Sequence, residues 1–388
     1  MIISPVKNME KVSIVKCENY EHDNVKNAIR KSLDLIGGLP KFVKPGNTVL
    51  LKVNAIIGFP AERAATTHPA VVRAMAELVK EAGGIPLVGD SSGAYGFTGQ
   101  SLEMCGLKKA AEDAGAKLVN FESTGTYSVK VNGKVVITLN IAKPVIDCDV
   151  LISMPKLKTH QLTKYTGAVK NFYGVIPGTG KAAIHRLAPS EESLSQAVVD
   201  IYSALKPRLA VMDGIVGMEG EGATNGTPID SKVIISSADC VALDAVASEV
   251  MGFYHKDILT TRYAHEQGLG VGMLDKIDVA GENIKDVRLD FKKSKYMVYK
   301  FPEFLRKFMF GFAENISSVE ISEDDCKRCG ICVKSCPSAA IALEPRPFID
   351  QKKCIKCYCC HELCPNGALE LKTSFIGRQF MKRMNYKS

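Results

Sequence analysis

Up to about Gly281 the chain alternates short apolar runs with longer stretches in which apolar residues recur every three or four positions. The runs at 12–15, 49–53, 85–88, 117–121, 150–153, 209–212 and 232–235 predict strands. The stretches at 23–36, 69–82, 102–114, 193–205 and 241–251 predict helices. The second helix has both punctuation marks: Thr67 can cap it, Pro69 suits an early helical position, and Gly83-Gly84 ends it. Asn132-Gly133, between apolar runs at 127–131 and 135–139, signals a hairpin. Strand–helix alternation of this kind means an α/β domain with a mainly parallel sheet.

The pattern changes after Val287. The stretch 291–312 mixes aromatic residues with Lys292, Lys293, Lys295, Lys300, Arg306 and Lys307, and the tail repeats that character with Phe375, Phe380, Arg378, Lys382 and Arg383. The expected division is an α/β domain over 1–284, an aromatic and basic connector over 285–313, a small α+β module over 314–372, and a basic amphipathic tail over 373–388. Short amphipathic segments of this kind are expected to pack one domain on another while their lysines stay solvated, so membrane contact is not expected. No run of about 18 apolar residues occurs, and the N-terminus carries no apolar segment after its lysine. The expected location is therefore the cytoplasm. The formal charge of +8 is too modest to imply nucleic acid.

Of thirteen cysteines, Cys17, Cys105, Cys148 and Cys240 are scattered, and nine lie between Cys326 and Cys364. An odd, clustered set is not a disulfide framework. Cys326, Cys329, Cys332 and Cys336 follow the spacing Cys-x-x-Cys-x-x-Cys-x-x-x-Cys, with Pro337 next; Cys354, Cys357, Cys360 and Cys364 repeat it, with Pro365 next. Three thiols two residues apart let a tight loop wrap one iron–sulfur cubane, whereas zinc needs only four ligands in two distant pairs. The segment 319–371 resembles a bacterial two-cluster ferredoxin. The resemblance implies two [4Fe–4S] clusters with crossed fourth ligands: Cys326, Cys329, Cys332 and Cys364 for one, Cys354, Cys357, Cys360 and Cys336 for the other. Cys359 breaks the spacing and is expected to be a non-ligand; His361 is expected to be a neighbouring donor or surface group.

In the large domain, 155–186 holds six Lys or Arg residues, two histidines and no acid. In an extended segment Lys156, Lys158 and His160 would share a face. With Lys170 and His185 they form a candidate anion site, because such ligands bind beyond the ends of parallel strands. The alternative is a solvated basic surface. The glycine-rich stretch 213–230 is the acidic complement, and Asp213, expected at a strand end, is the candidate carboxylate partner in acid–base chemistry. Two further patterns fail on inspection. Gly180-Lys181 would close a phosphate-binding loop only if Val175 were glycine and Ala182 were Ser or Thr. Gly93, Gly96 and Gly99 lack dinucleotide spacing.

Six groups of residues carry a second resemblance: Lys52-Val53-Asn54; Thr67-His68-Pro69 with Val72-Arg73; Gly89-Asp90-Ser91; Pro155-Lys156-Leu157-Lys158-Thr159-His160; Val169-Lys170-Asn171; and Asp213-Gly214 with Glu219-Gly220. Through them the stretch 49–252 resembles the family known as domain of unknown function 362, which often carries a C-terminal ferredoxin module. The resemblance implies the two-part architecture and no particular reaction. The expected function is a ferredoxin-coupled reductase, in which an anionic small molecule sits on Lys156, Lys158, His160 and Lys170 and receives protons from His185 or Asp213. A redox partner protein would exchange electrons with the clusters. No flavin or nicotinamide signature is present, so the scheme leaves room for a further cofactor. The alternative is an electron carrier whose large domain docks a protein partner.

Overall fold

Strand β1 (Glu10–Lys16) shows how one sheet divides the large domain: Val12 and Ile14 enter one apolar layer, Val15 and the adjoining Cys17 the other. The same alternation runs through β2 (Thr48–Lys52), with Leu50 on one side and Val49 and Leu51 on the other. The computed structural model describes residues 9–205, 207–294 and 317–373. Most of the expected connector and nearly all of the tail lie outside them.

After β1 and β2 come β3 (Ile85–Asp90) and β4 (Lys117–Asn120), a separate hairpin of β5 (Thr126–Lys130) and β6 (Thr138–Ala142), then β7 (Val150–Ser153), β8 (Lys156–His160), β9 (Lys164–Thr166), β10 (Leu209–Glu219), β11 (Thr227–Ser237) and β12 (Ile277–Gly281). All but the hairpin belong to one ten-stranded sheet, in the order β12-β1-β11-β10-β7-β2-β3-β4, with β8 and β9 branching from β10. From β10 to β4 every neighbour is parallel. β11 is antiparallel to both β1 and β10. The fold is α/β with a mainly parallel sheet.

Helices α1 (His22–Asp34), α2 (Pro69–Glu81), α3 (Thr98–Met104) and α4 (Leu107–Asp113) cover the Val49 and Leu51 side. Helices α5 (Lys143–Asp147), α6 (Ala168–Asn171), α7 (Gly180–Leu187), α8 (Glu191–Ser203), α9 (Cys240–Val250), α10 (Leu259–Glu266) and α11 (Ile284–Val287) cover the Leu50 side.

Four local expectations are corrected. The helix expected over 102–114 is split, because Gly106 adopts φ +75° and a Cβ there would lie 3.0 Å from the Pro69 ring. His68, not Thr67, caps α2 through Nδ1; the Thr67 hydroxyl donates to the Met154 carbonyl instead. The Asn-Gly hairpin exists, but its connection runs from Val131 to Ile137, joined by the Val131 amide to the Ile137 carbonyl. Asp213 sits inside β10, and 213–230 is mostly the β10–β11 hairpin rather than a loose acidic loop.

The C-terminal module is built from β13 (Ser317–Ile321), β14 (Ile341–Ala342), β15 (Phe348–Ile349) and β16 (Leu369–Thr373), in two antiparallel pairs, β13 with β16 and β14 with β15. Two short helices, Ile331–Ser335 and Cys359–Glu362, complete it. It docks on the large domain through an apolar cluster in which Ile331 and Leu363 meet Ile57, Phe59, Ala94 and Met218. Beside that cluster, Thr224 Oγ1 donates to the Glu362 carbonyl at 2.7 Å and Asn225 Nδ2 to the His361 carbonyl at 2.9 Å. No helix among the described residues is long and apolar enough to cross a membrane.

Candidate functional site: a cavity at the seam of two domains

Parallel strands end in exposed backbone and loops, which is where such sheets place ligands. Here β2 ends on Lys52 and β3 on Asp90, and both line a cavity of about 110 Å³ closed on its far side by the C-terminal module. The large domain contributes His160 at the end of β8, Lys170 on α6, Tyr173 just beyond it, and Lys181 and His185 on α7. The module contributes Ser335, Cys359, Glu362 and Leu363 from its two short helices, and Lys334 at the exposed rim.

The buried cations differ in how far they are satisfied. Lys52 forms an ion pair with Asp90 at 2.7 Å and donates to the Val53 carbonyl. Lys181 gives its ammonium to the carbonyls of Ser91 and Ser92 and to the Ser91 hydroxyl, at 2.6–3.0 Å. Burial lowers it to about 8. Lys170 is different: among the described residues its ammonium has no hydrogen bond and no ion pair, only the face of Tyr173 at 5.9 Å.

His160 is held in a defined tautomer. Its Nδ1 accepts from the amides of Leu162 and Thr163, so Nε2 carries the hydrogen; it lies 3.2 Å from Glu362 Oε1. Burial, with Lys170 close by, holds it well below the usual histidine range. Burial, aided by Lys170, also lowers His185 to about 4. Burial raises Glu362, against the pull of Lys170 and Lys158. Within the cavity wall two further polar atoms have no hydrogen-bond partner among the described residues: Nδ1 of His185 and the hydroxyl of Ser335.

Three of the six expected site residues do not reach this cavity. The β8–β10 register sets Lys156 opposite Asp213. They form a fully buried pair at 2.7 Å. The remaining valences of Asp213 are filled by the Tyr20 hydroxyl at 2.9 Å and the His68 amide at 2.8 Å. Lys158 donates to Asn54 Oδ1 and to the Ala65 carbonyl, and burial together with Lys170 brings its ammonium down to about 7. The shared face expected of Lys156, Lys158 and His160 is therefore buried and split: only His160 opens on the cavity, and no solvated basic surface exists here. His160, Lys170 and His185 do meet.

Sequence reading missed Lys52, Asp90, Ser335, Cys359 and Glu362 as cavity residues. A signal existed for the first two, which close adjacent predicted strands. The last three carry none, because only tertiary docking brings them to the wall.

The cysteines of the module gather around two small cavities. One is lined by Cys326, Cys329, Cys332 and Cys364; the other by Cys336, Cys354, Cys357 and Cys360. Four thiols around each is the donor set that a cubane requires. Cys359 lines neither, and opens instead on the seam cavity.

An α/β domain closed by an eight-thiol module is an iron–sulfur protein of redox or electron-carrier type. The chain belongs to the family described as domain of unknown function (DUF362), whose characteristic region matches residues 49–249, and residues 318–369 match a 4Fe-4S dicluster domain. A thylakoid-associated protein of Synechocystis sp. is 34% identical over 244 residues, which is 63% of this chain and 75% of that relative. The lactate racemase apoprotein from Thermoanaerobacterium thermosaccharolyticum superimposes with a TM-score of 0.41 at 14% identity, covering 63% of this chain and 57% of that one.

Proposed function

We propose that this protein is an iron–sulfur oxidoreductase in which the C-terminal module exchanges electrons with a small anionic molecule held in the seam cavity. The observation that carries the reading is the composition of the wall. Lys170, His160 and His185 face Ser335, Cys359 and Glu362, which lie one or two positions from cysteines of the thiol cavities. A ligand on Lys170 would therefore sit against the chain segments that carry the thiols. In this reading Cys326, Cys329, Cys332 and Cys364 hold one [4Fe–4S] cluster and Cys336, Cys354, Cys357 and Cys360 the other. The clusters, when bound, supply single electrons; a redox partner protein is their source.

The chain's own residues orient and shield. Lys170 attracts the anion, and His160 stands against the Glu362 carboxylate. The buried ties of Lys52 and Lys181 hold the strand-end loops that form the floor. His185 is the side chain placed to hold a proton beside the ligand.

Two measurements test the proposal on anaerobically purified protein. Cys336→Ser is expected to lose the cluster of the Cys354, Cys357 and Cys360 group, lowering iron from about eight to about four per chain, whereas Cys359→Ser keeps all of it. Reduced protein is then mixed with small carboxylates or phosphate and reoxidation is followed. Faster reoxidation that Lys170→Met abolishes supports the reading. Reoxidation by no small anion, with rapid reoxidation by a partner protein, would replace it with the carrier reading.

A further inference from the structure

Among the described residues two buried polar atoms and one half-buried ammonium on the seam cavity lack a hydrogen-bond partner, and they come from both domains. Lys170 Nζ has no hydrogen bond or ion pair among the described residues. Nδ1 of His185 and Oγ of Ser335 are buried and unpartnered, each residue being only 8% exposed. Buried polar groups in native proteins are nearly always satisfied, so a cluster of orphans around one space points to a ligand that satisfies them. Two lie on α6 and α7 of the large domain; the third lies on the module helix Ile331–Ser335.

The size and charge of the space restrict the ligand. A cavity of about 110 Å³ is smaller than the engineered cavity of about 150 Å³ that accepts benzene, so the ligand has on the order of six non-hydrogen atoms at most. Of the cations below the rim, Lys52 is neutralised by Asp90 and Lys181 is enclosed by oxygens. Among the described residues Lys170 has no hydrogen bond or ion pair, and Glu362, whose charge pulls on it, stands in the same wall. A half-buried cation already offset by a neighbouring carboxylate suits a single negative charge better than the two of phosphate. The two remaining orphans, an imidazole nitrogen and a hydroxyl, call for a polar group at the ligand's other end.

We propose, resting on the reading of this cavity as an anion site, that its ligand is a small hydroxy- or oxo-monocarboxylate that bridges the two domains. The carboxylate meets Lys170, and the hydroxyl or carbonyl oxygen meets His185 and Ser335. The site is then complete only when the iron–sulfur module is docked.

The test is equilibrium dialysis of the anaerobically purified, cluster-loaded full chain against radiolabelled acetate, glycolate and inorganic phosphate, with iron content measured on every variant. Glycolate is expected to bind more tightly than acetate, and both more tightly than phosphate. Lys170→Met weakens both carboxylates roughly ten- to hundredfold, the span of a charge-assisted contact. Ser335→Ala and His185→Phe remove only the advantage of glycolate, roughly three- to tenfold each. Should Ser335→Ala lose iron, Ser335→Thr keeps the hydroxyl and adds a methyl to the cavity, and it is expected to exclude glycolate before acetate. Glycolate binding indifferent to every Ser335 and His185 variant overturns the bridging ligand. Phosphate binding tightest overturns the ligand class while the anion site stands. Retention of no anion at all removes the anion site itself, and this inference with it.

Discussion

Lys156 and Lys170 lie in one basic segment, yet they stand in opposite situations. Lys156 is enclosed with Asp213, Tyr20 and His68 in a network where every strong donor and acceptor has a partner. Lys170, half-buried and opening on a cavity, has among the described residues no hydrogen bond or ion pair, only an aromatic face. Composition cannot separate the two; the state of their hydrogen bonds can. A satisfied buried charge holds structure together, and an unsatisfied one beside a space is set to receive something.

The sharpest way to break this contrast is to remove each charge in turn. Lys156→Met leaves Asp213 buried without its cation, which costs about 3–5 kcal/mol. Chemical denaturation of the large domain should show that loss. Lys170→Met removes a cation that has no hydrogen bond or ion pair among the described residues, only the longer-range pull of Glu362, so the midpoint of the same curve should move far less. Equal losses in both variants would show that Lys170 has a structural partner after all.

A second prediction uses pH. The folded state holds His185 and His68 neutral down to about 4, chiefly by burial. Above about pH 6.5 neither the folded nor the unfolded chain protonates them. As pH falls from there toward 4, the unfolded chain binds protons that the folded chain refuses, so stability falls. The slope is about 1.4 kcal/mol per pH unit for each histidine. Urea midpoints between pH 7 and 5.5 should show it, and His185→Gln should remove roughly half of what the pair contributes. A variant slope identical to wild type would mean that His185 is solvated.

The smallest expected effect concerns Glu362. Its carboxylate faces His160 and offsets Lys170. Glu362→Gln should tighten binding of a small carboxylate by roughly two- to fivefold, the worth of one partly screened charge. Dialysis against glycolate checks it, with weaker binding as the contrary result.

Much of the frame was legible in the sequence, for local reasons. The strand runs at 49–53, 85–88 and 150–153 fall on β2, β3 and β7, because an interior parallel strand is apolar on both faces. The doubled cysteine spacing identified the module before any fold was known. What failed depends on long-range geometry. Asp213 reads as a strand end because glycines follow it, yet β10 continues past a bulge to Glu219 and uses Asp213 to bind Lys156 across the sheet. Period-two alternation put Lys156, Lys158 and His160 on one face but could not say what covers that face. Ser335, Cys359 and Glu362 look like filler between ligand cysteines, since their role exists only once the module has docked.

The β10–β11 hairpin grips the module by main-chain oxygens: Thr224 and Asn225 reach the carbonyls of Glu362 and His361, so these two bonds depend on neither of those side chains. Every amino acid presents the same carbonyl. Replacement of Glu362, whose side chain lines the seam cavity, therefore leaves these two anchoring bonds in place. Anchorage and cavity wall can thus change independently: the backbone keeps its hold on the module while single replacements alter what lines the cavity.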